Sequence, residues 1–234
     1  WDFKRGIDTK TTRTKMSGGT GVLPEGLLKP TSVYQAGVAF LILGSLIGSY
    51  FVITYGILIA IILGFAILSI YFYSTKIVDS GLGEFFVAVK GSMIVMGTFF
   101  IQSGEVTVES ILAGIVIGTL SSLVLFIASF PDHDADKSKG RKTLVIVVGK
   151  EKAIKLFWLF PLVSYVVILI GVSVNLFPFL SLISLLSFPL MIKSGLGLQK
   201  NYDAIDNLVP FMSSTLQFSR LTGILFALSF LIPF

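Results

Sequence analysis

The sequence predicts an all-α fold, a polytopic bundle of transmembrane helices, and three observations carry that reading. Charge is scarce: 13% of the 234 residues are Asp, Glu, Lys or Arg and 54% are hydrophobic, whereas a soluble domain carries roughly 25% charged residues. The charge that remains is absent from long runs, with no Asp, Glu, Lys, Arg or His in 30–75, 110–131 or 156–192. About 20 consecutive apolar residues are enough to cross a bilayer as a helix. Finally, the basic residues gather in a few polar segments and leave other turns bare.

Seven spans follow in order. The first uncharged run holds two, about 33–52 and 55–73, separated by a turn near Tyr50–Tyr55. Spans at 84–103 and 107–130 come next. The last run holds 153–173 and 176–193, broken around Asn175–Pro178, and a final span covers 214–232. Gly44, Gly48, Gly64, Gly114 and Gly118 fall inside these spans, where small residues let helices approach closely in lipid. Residues 1–234 read as one membrane-embedded domain. The absence of cysteine excludes disulfide and thiolate chemistry. The polar N-terminal segment has no apolar stretch of the kind that marks a signal peptide.

Orientation follows from the cations. Segment 1–32 holds Lys4, Arg5, Lys10, Arg13, Lys15 and Lys29; segment 131–152 holds Lys137, Lys139, Arg141, Lys142, Lys150 and Lys152. Lys76, Lys193 and Lys200 are expected in loops on the same side, while the turns near 50–55, 104–106 and 174–175 lack Lys and Arg. Basic loops stay in the cytoplasm, so the polar segments are expected there. Four spans separate the two large ones, an even number, which puts both on one face. The net charge of +5 belongs to these loops; a lipid bilayer is the expected partner, and no nucleic acid.

Both segments carry carboxylates. Asp132 and Asp136 are four residues apart, which places them on one helical face, with Asp134 pointing elsewhere. Mg²⁺ prefers oxygen ligands and is held by one or two carboxylates together with substrate phosphates. Two acidic clusters facing each other therefore suit a diphosphate bound through Mg²⁺; interspersed Asp and Lys in a solvated loop is the plainer alternative. His133 is either a ligand beside these aspartates or an exposed neighbour. Asp2 and Asp8 are six apart, with Gly6 marking the point where a helix end gives way to a loop.

At these residues the chain resembles the UbiA-type prenyltransferases, and among them the menaquinone-pathway branch acting on 1,4-dihydroxy-2-naphthoate. Asp2-Phe3-Lys4-Arg5-Gly6-Ile7-Asp8-Thr9 resembles the end of that branch's first motif, Asn-x-x-x-Asp-x-x-x-Gly-x-Asp. Gly81-Leu82-Gly83-Glu84 and the stretch Gly97–Gly104 resemble its middle signature. Asp132, Asp136, Gly140, Thr143 and Leu144, with Gly149 beyond, resemble its second motif, and the glycine-rich stretch Ser17–Leu27 stands where the branch has a similar loop. Three departures stand out, one being that the segment Tyr73–Gly81 around Lys76 is shorter than in that branch. The motif's leading Asn would precede Trp1, and Ala128-Ser129-Phe130-Pro131 replaces an Asn-Asn pair frequent before the second motif.

The resemblance implies a nine-helix fold, of which seven spans are visible here, around a cavity open to lipid; by that standard the first two helices are expected to be missing. It implies Mg²⁺-dependent transfer of a polyprenyl group from a prenyl diphosphate to an aromatic acceptor, 1,4-dihydroxy-2-naphthoate, in quinone biosynthesis. Asp2 and Asp8 are expected to hold one Mg²⁺ and Asp132 and Asp136 another, all four being catalytic. Lys76 is a candidate diphosphate contact with Arg141 and Lys142 behind it. Lys90 lies two turns inside a span, where charge is costly and by default functional; the alternative is that it reaches back to the headgroups.

Other acceptors remain open within this chemistry: 4-hydroxybenzoate, homogentisate or a glyceryl phosphate lipid. Of different classes are a membrane transporter and a non-catalytic membrane subunit. Transport is disfavoured because the span centres carry almost no charge and the acids lie at one interface. The Asp-Gly-x-x-Ala-Arg run of the CDP-alcohol phosphotransferases is absent.

Overall fold

A computed structural model describes residues 1–11, 13–14 and 16–231. Among them there is helix and no strand. A short helix α1 (Asp2–Arg5) precedes two long ones, α2 (Pro30–Tyr55) and α3 (Ile57–Phe72), which break at Gly56. A π-helical turn (Tyr73–Ile77) and a 3-10 turn (Val78–Ser80) lead into α4 (Gly83–Ser103) and α5 (Val108–Ser138). Two short helices, α6 (Leu144–Val148) and α7 (Lys150–Leu156), run into α8 (Leu159–Ser173). A 3-10 stretch (Phe179–Ser187) continues as α9 (Phe188–Asn201), and α10 (Ile205–Ser229) closes the set.

Six helical stretches are long and apolar enough to cross a membrane: Pro30–Tyr55, Ile57–Ser80, Gly83–Ser103, Val108–Ser138, Lys150–Ser173 and Phe179–Asn201. They correspond to the first six expected spans. The seventh, expected at 214–232, falls in α10, which starts earlier and carries Asp206, Gln217 and Arg220. These residues dilute its apolar character, although the helix itself forms. α10 ends at Ser229, and residue 232, the last of the expected span, lies outside the described residues. Lys193 and Lys200, expected in loops, are both in α9, because the helical pattern runs on to Asn201.

The core is built on α5, α8, α9 and α10. Leu123, Phe126, Ile168, Leu198, Leu208 and Phe218 are all fully buried there. Tyr165 and Thr222 are hydrogen-bonded to the Ser187 hydroxyl at 2.8 and 2.6 Å, and Ser181 pairs with Ser229 at 2.8 Å. Hydroxyl pairs of this kind join helices in a medium that offers no water.

The backbones of α4 and α5 touch. A Cβ on Gly118 would stand 2.1 Å from the Ala88 carbonyl oxygen, and one on Gly91 would stand 2.7 Å from the Gly118 Cα. Ser92 reinforces the contact by donating to the Gly114 carbonyl at 2.9 Å. By contrast, α2 buries no residue. Its side chains Phe40, Leu46 and Ile53 point outward, as suits a helix set in lipid.

Candidate active site

The first acidic cluster depends on a glycine. α1 ends at Arg5, and Gly6 adopts the left-handed conformation (φ 72°), so its N–H bonds back to the Asp2 and Phe3 carbonyls. Glycine tolerates that backbone without steric cost. Buried Ile7 anchors the turn, and Asp8 follows at the start of the loop. The Lys139 ammonium lies 2.9 Å from where a Gly6 Cβ would sit, so the segment that follows α5 packs directly on this turn.

The second cluster stands on a helix, not in a loop. α5 runs unbroken through Pro131 to Ser138, so Asp132 and Asp136 are one turn apart on its last turns. Asp134 points away, its side chain 87% exposed and paired with His133 at 2.7 Å. The chain then reverses, with the Arg141 N–H bonding to the Asp136 carbonyl at 3.0 Å.

Arg141 joins the two clusters. One guanidinium nitrogen donates to both oxygens of Asp2, at 2.9 and 3.0 Å, and the other donates to Asp136 at 3.1 Å. Charge-assisted bonds from a planar guanidinium fix geometry as well as supplying attraction. Burial works against the Arg141 charge, but Asp2 and Asp136 outweigh it and push its pKa above the ordinary arginine value. Asp8 is shifted up as well, first by burial and then by the neighbouring Asp2 charge. Arg5 adds a second tie, donating to Asp79 at 3.1 Å and to the Ser74 carbonyl at 2.6 Å. That contact fastens the first cluster to the turn ahead of α4.

Between these elements lies a cavity of about 200 Å³. Asp2, Glu84, Asp132, Asp136 and Arg141 line it together with Tyr73, Val78, Leu125, Ala128 and Thr143. Four carboxylates thus face one guanidinium. Five side-chain atoms on this wall are buried without a hydrogen-bond partner: both Glu84 oxygens, Asp132 Oδ1, Arg141 Nε and Thr143 Oγ1. Only two other buried side-chain atoms among the described residues, on Ser69 and Ser184, are left this way. Unsatisfied buried polar atoms are costly, and their concentration at one cavity points to a polar ligand.

Of the residues singled out from sequence, the structure brings Asp2, Asp132, Asp136 and Arg141 into this cavity. Asp8 stands beside Asp2 but not on the wall. Lys76, Lys90 and Lys142 are exposed and do not line it. Lys76 belongs to the π-helical turn whose inward residue is Tyr73, and its ammonium sits 5.0 Å over the Phe72 ring. Lys90 is six residues along α4 from Glu84, which rotates it well off the inward face. Lys142 turns outward beside inward-facing Arg141. Sequence reasoning had given no role to Tyr73, Glu84 or Thr143. For Glu84 a signal existed, since an ionisable residue at the head of an apolar span is a functional candidate by default.

The donor set suits a hard divalent cation: it offers only carboxylate and hydroxyl oxygens, and Asp132 presents an oxygen that nothing else satisfies. Among the described residues, no three His, Cys, Asp or Glu groups already converge on one cation position. Arg141 bridges Asp2 and Asp136 instead.

A polar, acid-walled cavity in a bundle of membrane-length helices is the kind of site a membrane enzyme carries. The pattern of the UbiA prenyltransferase family matches residues 1–231, and the chain belongs to that family; it is a membrane prenyltransferase. A 1,4-dihydroxy-2-naphthoate octaprenyltransferase of Bacillus subtilis (strain 168) is 29% identical over 239 residues, covering 100% of this chain and 75% of that protein. A protein of the same name from Escherichia coli (strain K12) is 30% identical over 152 residues, covering 63% of this chain and 48% of the relative. No solved structure matches the chain.

Proposed function

We propose that this prenyltransferase transfers a polyprenyl group from a prenyl diphosphate to 1,4-dihydroxy-2-naphthoate with the help of Mg²⁺. We further propose that residues 1–234 form a single membrane-embedded catalytic domain whose acidic face lies on the cytoplasmic side. The observation that carries the reading is the cluster of unpartnered polar atoms on the wall shared by Asp2, Glu84, Asp132, Asp136, Arg141 and Thr143. The aromatic acceptor is supported by the names of both relatives.

Asp2 and Asp8 on one side, and Asp132 and Asp136 on the other, are the residues that would hold Mg²⁺. What the bound ion supplies is neutralisation of the negative charge that builds on a departing diphosphate. The chain's own share of that work falls to Arg141, the cation on the cavity wall, rather than to Lys76, Lys90 or Lys142. Its guanidinium is already oriented by two carboxylates and keeps a free Nε–H. A preorganised donor of this kind stabilises developing charge without reorganising during the reaction. Val78, Leu125 and Ala128 give the cavity an apolar side, where water has little access to an allylic cation.

The acceptor assignment is tested by supplying membranes containing the protein with radiolabelled prenyl diphosphate, Mg²⁺ and each acceptor in turn. Preferential labelling of 1,4-dihydroxy-2-naphthoate over 4-hydroxybenzoate is expected. Product from 4-hydroxybenzoate alone moves the acceptor, and label appearing only in a glyceryl phosphate lipid removes the aromatic reading altogether.

A further inference from the structure

Glu84 is 3% exposed, as buried as Asp136 on the same wall, but unlike Asp136 neither of its oxygens has a hydrogen-bond partner. The backbone N–H groups of Glu84 and Leu144 lie nearby without closing such a bond. Its own carbonyl accepts from the Ser122 hydroxyl at 2.7 Å, which pins this end of α4 to the middle of α5. Ser122 lies ten residues before Asp132 on α5, so the same helix that carries Asp132 also fixes the backbone of Glu84. Asp2, Asp132 and Asp136 share the cavity wall with it. Around it are the Tyr73 ring, Leu125 and Ala128, and the unpartnered Thr143 hydroxyl. An aromatic surface, aliphatic walls and one orphaned carboxylate suit a planar ring whose acidic hydroxyl donates to Glu84.

Building on the prenyl-transfer reading above, we infer that Glu84 binds the hydroxyl of the aromatic acceptor and takes its proton as the ring carbon is alkylated. The bond changes balance as follows. The allylic C–O bond breaks and its electron pair leaves with the diphosphate. The ring carbon uses a ring electron pair to form the new C–C bond while the hydroxyl oxygen becomes a carbonyl, its proton now on the Glu84 carboxylate. Loss of carbon dioxide from the alkylated carbon returns an electron pair to the ring. The Glu84 proton then goes back to the oxygen, which restores both the aromatic hydroxyl and the carboxylate.

The other titratable groups lining this cavity are Tyr73, Asp2, Asp132, Asp136 and Arg141, so the test must separate Glu84 from them. Glu84→Gln keeps the shape and removes the base; Glu84→Asp keeps the base and shortens it. Both are assayed in membranes alongside the wild type, with the Mg²⁺ requirement, the KM for prenyl diphosphate and the pH profile recorded. Glu84→Gln is expected to lower kcat by about 100-fold or more, the usual contribution of a positioned base. It should also flatten the acid limb of the profile, while the Mg²⁺ and prenyl diphosphate requirements stay unchanged. Glu84→Asp should retain the acid limb and part of the rate, which excludes misfolding. A raised Mg²⁺ requirement in Glu84→Gln, or an unchanged kcat with aromatic acceptor, overturns the inference while wild-type turnover still upholds the function. Wild-type transfer to non-aromatic acceptors alone overturns both.

Discussion

Arg141 shows how much a single residue decides here. It ties Asp2 to Asp136 across most of the chain while facing the cavity itself. Removing it leaves buried carboxylates facing one another without compensation, an arrangement that is strongly unfavourable. Arg141→Ala is expected to lower turnover by roughly 10²–10³-fold, the cost of losing one preorganised donor to developing charge. Arg141→Lys should recover little, because an ammonium cannot reproduce the planar fork to Asp2. Kinetics of the two variants in membranes check this; full recovery by lysine would mean that positive charge alone is needed. The sequence showed Arg141 only as one cation among several behind Lys76. Nothing in composition separates an inward arginine from the outward Lys142 beside it, since the reversal after α5 decides which of them faces the cavity. The Asp132–Asp136 pair was legible, because four-residue spacing places both on one face wherever the helix runs. Glu84 was visible as part of a signature, but its isolation among polar atoms emerges only when α4, α5 and the 139–143 segment meet.

At the scale of elements, the α4–α5 seam positions the wall. Gly91, Gly114 and Gly118 let the two backbones touch, and Ser122 then holds the Glu84 backbone in place. A side chain at Gly118 would have to displace the Ala88 carbonyl, which belongs to the backbone and cannot step aside. Gly118→Val is expected to cost about 1–3 kcal/mol through overpacking, seen as a lower thermal transition in detergent. At Gly44, which faces open space, the same change should leave the transition in place. Equal effects at both positions would mean that the seam is not the tight contact. The long uncharged runs made five of the six spans readable with boundaries a few residues off, and the sixth, at 84–103, was readable despite Glu84 and Lys90. The π-helical turn at Tyr73–Ile77 was not readable, since it differs from ordinary helix by one residue per turn and carries no composition of its own. It nonetheless turns Tyr73 inward and Lys76 outward. The seventh span, read from sequence as an apolar helix at 214–232, is helical in the structure but not among the helices apolar enough to cross, because Asp206, Gln217 and Arg220 lie along α10.

For the whole molecule, the central claim is that segments far apart in sequence form one Mg²⁺-dependent site at one end of a membrane bundle. The even number of spans between them made that convergence readable, whereas the bridging role of Arg141 required the fold. The claim is tested most directly by a double-mutant cycle. Mg²⁺-dependent release of diphosphate is measured for Asp2→Asn, Asp136→Asn and both together, with Asp134→Asn as the exposed control. Residues that act as one unit are strongly non-additive. Each single change is therefore expected to cost about 100-fold or more in Mg²⁺-dependent turnover, the double variant little beyond that, and Asp134→Asn almost nothing. Losses that multiply in the double variant, or an Asp134→Asn as damaging as Asp136→Asn, would contradict a single shared site.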